Sequence, residues 1–374
     1  MTGRERVLRA VNHVEPDRVP IDFGGSFVTS IHQFGYENLK RYLGFTAPTT
    51  IIRNRALVAQ VDTAIMDRFH VDTRLARPRN PDGWQNCVLE DGSQEDEWGV
   101  RWYRPPEADA YYIKEAPFAA GITDAAIAGH RWPEPHDPGR VRGLAEEIAG
   151  LRESGKAVIL NLAYEFVTQS RFMRGFENWM MDLVLNPGSV AGLMDRILEI
   201  YLAMAADVLA VCGDQIDVIY IADDLAMQTG PLFSPEIYRR LIKPRQQRLV
   251  RFLKERSTAK ILYHSCGAVQ QLLPDLIEVG IDILNPVQVS AAGMDTAELK
   301  KRFGRDLTFW GGIDTQRVLP FGTPQEVREE VKRRIDDLAP GGGFVLAAVH
   351  NIRPEVPPEN IIAMLEAALE YGAY

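Results

Sequence analysis

A histidine and a cysteine lie two positions apart in the run KILYHSCGAV, residues 260–269, where an apolar run ends. Side chains at positions i and i+2 of a strand point to the same face, so His264 and Cys266 are expected to face together. Histidine nitrogen and cysteine thiolate are preferred ligands of zinc, whose catalytic sites have three protein ligands and one open position. The pair therefore predicts a zinc site that needs a third ligand from another segment.

His350 is the leading candidate for the third ligand, because it ends another apolar run, GFVLAAVHN, residues 343–351. Glu165 and Asp224 are the next candidates. Two other interpretations remain open: Cys266 packs as a small apolar residue beside a hydrogen-bonded core histidine, or Cys266 is a nucleophile with His264 as its base. The second is less favoured, because side chains two apart on a strand stand nearly parallel.

Polar residues also end or follow the other apolar runs, and these are candidates for catalysis and substrate binding. Asp224 and Asp314 are candidate acid/base groups. For the adjacent pair Asp223 and Asp224, anchoring of a substrate and capping of the following helix are open alternatives. Tyr164, Asn285 and Gln316 are candidate substrate-binding residues.

The elements that must position these residues alternate between short β-branched runs and longer helical patterns, which predicts a parallel sheet. With the early run RVPIDFGG and a strand near FHVDTRLA, the count approaches eight and favours a single closed (β/α)8 barrel over residues 1–374, with N-terminal additions. Working residues of such barrels lie at the carboxyl ends of the strands. The other predicted strands are 156–163, 216–224, 260–267, 281–288, 307–314 and 343–351.

Residues 78–121 have a different character, with turn signals and short alternating runs, and they predict a β-hairpin insertion. Trp84, Trp98 and Trp102 lie within it. They are expected either to cap a substrate or, more simply, to pack the insertion onto the barrel.

The net charge of −9 disfavours nucleic acid as a partner, because phosphate binding needs clustered cations. Three widely spaced cysteines predict no disulfide framework. The sequence has no apolar run of membrane-spanning length and a charged start, so we expect a cytoplasmic protein without membrane association.

The sequence resembles the uroporphyrinogen decarboxylase superfamily over nearly its whole length, and within it the zinc- and cobalamin-dependent methyltransferases. That resemblance implies the barrel fold and transfer of a methyl group between a small molecule and corrinoid cobalt. The segments that carry it are RERVLRAVNHVEPDRVPIDFGG, FHVDTRL, RFMRGFENWMMDL, DDLAMQTGPLFSPEIYRRLIKPR, YHSCGAVQQLLPDLIEVGIDILNPVQ, GGIDTQRVLPFGTPQEV and HNIRPEVPPENI.

The resemblance also implies the zinc ligands, and here the sequence departs from the family pattern. Those methyltransferases hold zinc with a His-x-Cys pair and a distant cysteine before a Pro-x-x-Pro-x-Glu-Asn stretch. Here PEVPPEN is present, but His350 occupies the cysteine position. One thiolate and two neutral imidazoles leave the zinc site at net +1, a stronger Lewis acid suited to polarising an ether or alcohol oxygen.

The corrinoid carriers of these systems contain an Asp-x-His-x-x-Gly motif, which this sequence lacks, so the cobalamin is expected on a separate corrinoid carrier protein. The compatible methyl donors or acceptors are methoxylated aromatics, methanol, methylamines, betaines and thiols.

Two alternatives to methyl transfer remain. A decarboxylase acting on a tetrapyrrole is implied by Asp72, which resembles the pyrrole-binding aspartate of uroporphyrinogen decarboxylase. The arginine-rich stretch that binds the tetrapyrrole carboxylates is replaced by VPIDFGGSF, without arginine. A non-enzymatic corrinoid- or tetrapyrrole-binding protein is the other alternative.

Overall fold

A computed structural model of the protein describes residues 1–84 and 87–374. Its central feature is a parallel sheet of seven strands, in the order β14-β13-β12-β11-β10-β9-β4. The strands are β1 Ile31–His32, β2 Ile51–Arg53, β3 Val58–Ala59, β4 Thr73–Ala76, β5 Cys87–Val88, β6 Gln94–Glu95, β7 Arg101–Tyr103, β8 Tyr112–Glu115, β9 Ala157–Asn161, β10 Val218–Ala222, β11 Lys260–His264, β12 Ile283–Asn285, β13 Thr308–Trp310 and β14 Phe344–Val345.

The segment 20–22 fills the gap between the first and last strands of this sheet. Ile21 forms a parallel bridge with Leu346, and the Ile21 carbonyl accepts the Asp72 amide beside β4. The segment thus acts as the missing eighth strand, and the sheet closes on itself. The predicted (β/α)8 barrel is confirmed, with RVPIDFGG and FHVDTRLA supplying the first two strand positions.

The barrel strands are buried on both faces, which explains their continuous apolar runs. One set of alternating side chains fills the barrel interior, among them Ile159, Leu262 and Ile283. The other set, which includes Leu160 and Ile261, packs outward against the helices. This two-layer burial fixes the register of each strand, and with it the direction of the side chains at the strand ends.

Helices cover the outside of the barrel, and several begin at side chains that cap their first turn. Ser234 caps the helix at Pro235, while Thr323 and Glu326 form a reciprocal capping box. No helix among the described residues is long and apolar enough to cross a membrane. The helices are α1 Gly3–Val11, α2 Gln33–Leu43, α3 Thr63–Arg68, α4 Asp124–Gly129, α5 Leu144–Glu153, α6 Phe166–Arg174, α7 Phe176–Leu185, α8 Pro187–Cys212, α9 Pro235–Ile237, α10 Lys243–Lys254, α11 Leu273–Val279, α12 Thr296–Phe303, α13 Val318–Phe321, α14 Pro324–Leu338 and α15 Pro358–Tyr371.

Two small antiparallel sheets lie outside the barrel. Strands β1–β3 form one, and the segment predicted to be a β-hairpin contains the four strands β5–β8 of the other. Trp98 packs edge-on against Tyr201 of α8, and Trp102 packs edge-on against Phe172 of α6. These contacts attach the insertion to the helices that follow β9.

Candidate metal centre

His264 is the last residue of β11, and its ring is held by a neighbouring strand. Its Nδ1 lies 2.6 Å from Oδ1 of Asn285, while the Asn285 amide nitrogen donates to the Trp310 carbonyl at 2.9 Å. The amide oxygen must therefore accept, so Nδ1 carries the proton. The Nε2 atom is left bare, which is the form that binds a metal.

Cys266 follows two residues later and points to the same side. Its Sγ lies 3.4 Å from Nε2 of His264, and its backbone amide donates to Oδ1 of Asp224 at 3.1 Å. The chain then turns through Gly267, whose φ of +93° and close approach to the Met227 carbonyl leave no room for a side chain. This turn directs the thiol toward the imidazole.

His350 completes the cluster from the far end of the sequence. The rings of His264 and His350 lie 5.4 Å apart, and one ligand atom from each of His264, Cys266 and His350 lies within 4.8 Å of the other two. Tetrahedral zinc, with bonds of about 2.0 Å to nitrogen and 2.3 Å to sulfur, separates such atoms by about 3.5 Å. The donor set thus fits zinc, and the most widely separated ligand atoms lie somewhat farther apart than zinc would hold them.

The protonation of the three side chains is consistent with a cation between them. Burial lowers the pKa of both His264 and His350, so their rings are neutral near pH 7. Burial, together with the nearby Asp224 carboxylate, raises the pKa of the Cys266 thiol. A thiolate therefore needs a cation at this position, which argues against Cys266 as a free nucleophile activated by His264.

Asp224 lies next to the cluster, where its carboxylate accepts the Cys266 backbone amide. Its burial alone would raise the pKa of its carboxyl, but His264, Arg171 and the Cys266 amide outweigh burial and lower it. The carboxylate is therefore an anion close to the three ligands. It offsets part of the net +1 expected for zinc with one thiolate and two imidazoles.

Two cavities open at this end of the barrel. The histidine cavity, of about 290 Å³, is lined by His264, His350 and Tyr220 among others. The tryptophan cavity, of about 390 Å³, is lined by Trp84 and Trp98 among others.

The two cavities share three lining residues, Arg53, Arg55 and Glu165. Arg53 donates to Glu165 at 2.7 Å. Glu165 was a further candidate for the third ligand. Its carboxylate is instead paired with Arg53, and Glu165 is not one of the three clustered residues.

The structure places the predicted substrate residues at different ends of the barrel. Tyr164 lines the tryptophan cavity and stacks on Tyr201 at 4.5 Å. Asn285 positions the His264 ring. Asp72 lies at the amino end of β4, buried between Arg6 and Arg18 at 2.6 and 2.8 Å. Asp72 is therefore not placed to contact a substrate at the mouth, because its carboxylate lies at the opposite end of the barrel.

Asp314 and Gln316 follow the carboxyl end of β13 along the chain, but neither residue lines either cavity. The Asp314 carboxylate accepts the backbone amides of Gln316 and Arg317, at 2.6 and 3.3 Å, just before α13. Gln316 itself is exposed. The Asp314 carboxylate thus caps its own loop, and neither residue lines the two cavities at the mouth.

Arg53 and Arg55 were not predicted from the sequence. They lie in IIRNRA, at the end of β2 and in the short 3₁₀ helix that follows, outside any barrel strand. In the sequence, Arg53 and Arg55 stand beside a β-branched run. Ordinary surface strands show the same pattern, so it did not point to a binding site.

Comparisons with known proteins place this architecture in one family. The family model described as uroporphyrinogen decarboxylase (URO-D) matches residues 122–371. A solved structure described as a methyltransferase from Methanosarcina mazei covers 99% of both chains with a TM-score of 0.68 at 19% identity, and so shares the fold.

Curated relatives include both named methyltransferases and named decarboxylases. The methylcobamide:CoM methyltransferase MtaA of Methanosarcina barkeri is 34% identical over 42% of each chain. The methylated-thiol–coenzyme M methyltransferase of M. mazei is 26% identical over 64% of this chain and 61% of its own length. The uroporphyrinogen decarboxylase of Crocosphaera subtropica is 31% identical over 48% of this chain and 49% of its own. The matches thus span less than two thirds of these relatives, but with two thirds of the chain matched by the family model, the chain belongs to the uroporphyrinogen decarboxylase (URO-D) family.

Proposed function

We propose that this protein is a zinc-dependent methyltransferase that moves a methyl group between a small molecule and the cobalt of a corrinoid on a separate carrier protein. The observation that carries the proposal is the convergence of His264, Cys266 and His350 at the mouth of the barrel. The names of two relatives, a methylcobamide:CoM and a methylated-thiol–coenzyme M methyltransferase, support it.

Each side chain at the mouth has a distinct task. His264, Cys266 and His350 would hold zinc, which supplies Lewis acidity to the heteroatom that carries or receives the methyl group. Asn285 keeps Nε2 of His264 bare, and Asp224 orients Cys266 through its backbone amide. The walls of the histidine cavity, which include Tyr220 and Phe172, enclose the reacting group.

The transfer balances in either direction. With a methyl ether as donor, the methyl–oxygen bond breaks and its electron pair stays on oxygen. The electron pair of Co(I) forms the new bond to the methyl group, and cobalt becomes Co(III). With a thiol as acceptor, the thiolate attacks the methyl group on Co(III), and cobalt returns to Co(I).

A decarboxylase acting on a tetrapyrrole is the competing activity, because some relatives carry that name. The sequence resemblance implies no metal for that reaction, and the His264, Cys266 and His350 cluster would then have no role. Asp72, the residue that suggested a tetrapyrrole, lies away from the mouth.

The test incubates zinc-loaded protein with a Co(I) corrinoid carrier and a panel of methyl donors, and follows the methyl-Co(III) absorbance. We expect transfer from at least one donor and loss of transfer in Cys266→Ser. The matched control is Cys212→Ser, a buried cysteine on α8 remote from the mouth. Release of CO₂ from uroporphyrinogen, without methyl transfer from any donor, would contradict the proposal.

A further inference from the structure

The residues that line the two cavities carry an unusual combination of guanidinium groups and aromatic rings. Four arginines line the tryptophan cavity, and two of them, Arg53 and Arg140, are paired with Glu165 and Glu97. Within residues 1–84 and 87–374, no carboxylate forms an ion pair with Arg55 or Arg77. Two half-buried cations thus face the cavity without an ion-paired carboxylate of their own.

Arg55 is held in place by rings rather than by an acid. Its guanidinium lies 4.8 Å from the ring centres of both Trp102 and Phe172. Burial lowers the pKa of Arg55 and of Arg77, because nearby carboxylates that form no ion pair with them offset this effect only in part. Arg55 also lines the histidine cavity, so it links the cationic region to the metal ligands.

The third carboxylate of the cavity, Asp96, offsets only one of the two unpaired positive charges. Asp96 accepts hydrogen bonds from the Trp98 and Val100 amides and from the Trp102 indole, so its oxygens are already engaged. Four arginines and three carboxylates, Asp96, Glu97 and Glu165, line the cavity, so one positive charge is left over. The cavity therefore favours an anion and disfavours a methylammonium group.

The remaining walls favour a ring. Phe27, Trp84, Trp98, Tyr164 and Tyr201 all line the tryptophan cavity. Flat aromatic surfaces of this kind bind a flat aromatic ligand by stacking and edge-on contacts. The size of the cavity lies in the range typical of small-molecule sites.

We propose that the methyl donor is an aromatic methyl ether that carries a carboxylate, a substrate class that rests on the methyl transfer proposed above. Arg55 and Arg77 bind the carboxylate, the ring lies among the aromatic side chains, and the methoxy group points toward His264 and His350. Methanol would leave the arginines without a partner, and methylamines would place a second cation beside them.

The test measures binding by calorimetry to zinc-loaded protein without any corrinoid, so that no methyl transfer occurs. The probes are 4-methoxybenzoate and its neutral analogue of similar shape, 4-methoxybenzamide. We expect the benzoate to bind at least about tenfold tighter, since hydrogen bonds to an ionised group are roughly twice as strong as neutral ones.

Two variants locate the anion site. Arg55→Gln and Arg77→Gln should each weaken benzoate binding by about tenfold and leave benzamide binding nearly unchanged. The control Arg79→Gln removes an exposed arginine only two residues from Arg77, paired with Glu147, and should change neither. A variant that weakens both ligands equally would show a structural role for that arginine and contradict the inference.

Three results would overturn the substrate class. The benzamide binds as tightly as the benzoate, or a sulfonated thiol such as 2-mercaptoethanesulfonate displaces the benzoate at lower concentration, or no probe binds while methanol still methylates the corrinoid. The last result would leave the proposed function intact. Conversely, benzoate binding that depends on Arg55 and Arg77, without transfer to any corrinoid, would contradict the function and leave the anion site.

Discussion

At the scale of single residues, the protonation state of His264 decides what the cluster can bind. The Asn285 amide oxygen accepts from Nδ1, so Nε2 faces Cys266 as a bare lone pair. The contact with Asn285 therefore favours the proposed metal ligand over the core histidine that the sequence left open as an alternative.

Changing His350 tests whether it supplies the third ligand. His350→Ala should lose zinc and activity together, because two protein ligands do not make the three-ligand site. His350→Cys should keep zinc but slow transfer from an ether, because a second thiolate weakens the Lewis acid. X-ray absorption at the zinc edge should count one sulfur in the native protein and two in His350→Cys. Full zinc content in His350→Ala would place the third ligand elsewhere.

Changing Asn285 tests the orientation of His264. Asn285→Ala removes the acceptor for Nδ1–H and should weaken zinc binding by about 10- to 100-fold, as measured by competition with a chelator. Asn285→Asp keeps an acceptor oxygen and should bind zinc more tightly than Asn285→Ala does. Equal affinities in the two variants would show that the hydrogen bond does not hold the ligand in place.

At the scale of elements, the parallel strands explain how much of the site was predictable. Because the barrel strands are continuous apolar runs, their carboxyl ends could be placed, and with them His264 and Cys266 at the end of β11 and His350 in the segment after β14. The loops beyond the strands follow no such period. Asp314 turns back to cap its own loop, while Arg53 and Arg55 reach the mouth from outside the barrel, and neither outcome can be derived from strand pattern alone.

The turn after β11 gives an element-scale prediction. A Cβ at Gly267 would lie 2.6 Å from the Met227 carbonyl oxygen, at a φ of +93°. Gly267→Ala should shift Cys266 and weaken zinc binding, in addition to the roughly 1–3 kcal/mol cost of backbone strain. Gly341→Ala is the matched control, with a φ of +77° and no atom within 4 Å. It should lose stability to urea but keep its zinc affinity, and zinc loss in both variants would contradict the argument.

At the scale of the whole molecule, the barrel is closed by a segment from the N-terminal part of the chain. The Asp72 carboxylate is fully buried, and it accepts hydrogen bonds from Arg6, Arg18 and the Ile21 amide. It therefore fastens helix α1 and the segment 20–22 to the start of β4. Asp72, which resembles a pyrrole-binding aspartate in sequence, thus helps to close the barrel.

Removing that charge should affect stability and leave binding unchanged. Asp72→Asn leaves Arg18 without a carboxylate and Arg6 with Asp17 alone, and should lower the free energy of unfolding by about 3 kcal/mol. Asp336→Asn, which breaks the exposed pair with Lys332, should change it by less than about 0.5 kcal/mol. The substrate KM of folded Asp72→Asn should equal that of the native protein. A large rise in KM at unchanged stability would restore a role for Asp72 in substrate binding.

The central claim is that methyl transfer depends on zinc held by His264, Cys266 and His350. The most direct measurement adds zinc in steps to metal-free protein and records the rate of methyl-Co(III) formation on the corrinoid carrier at each step. We predict a rate that rises in proportion to zinc and levels off at one equivalent per chain. Transfer at full rate in the metal-free protein, or no transfer with one zinc bound and every donor tested, would contradict the claim.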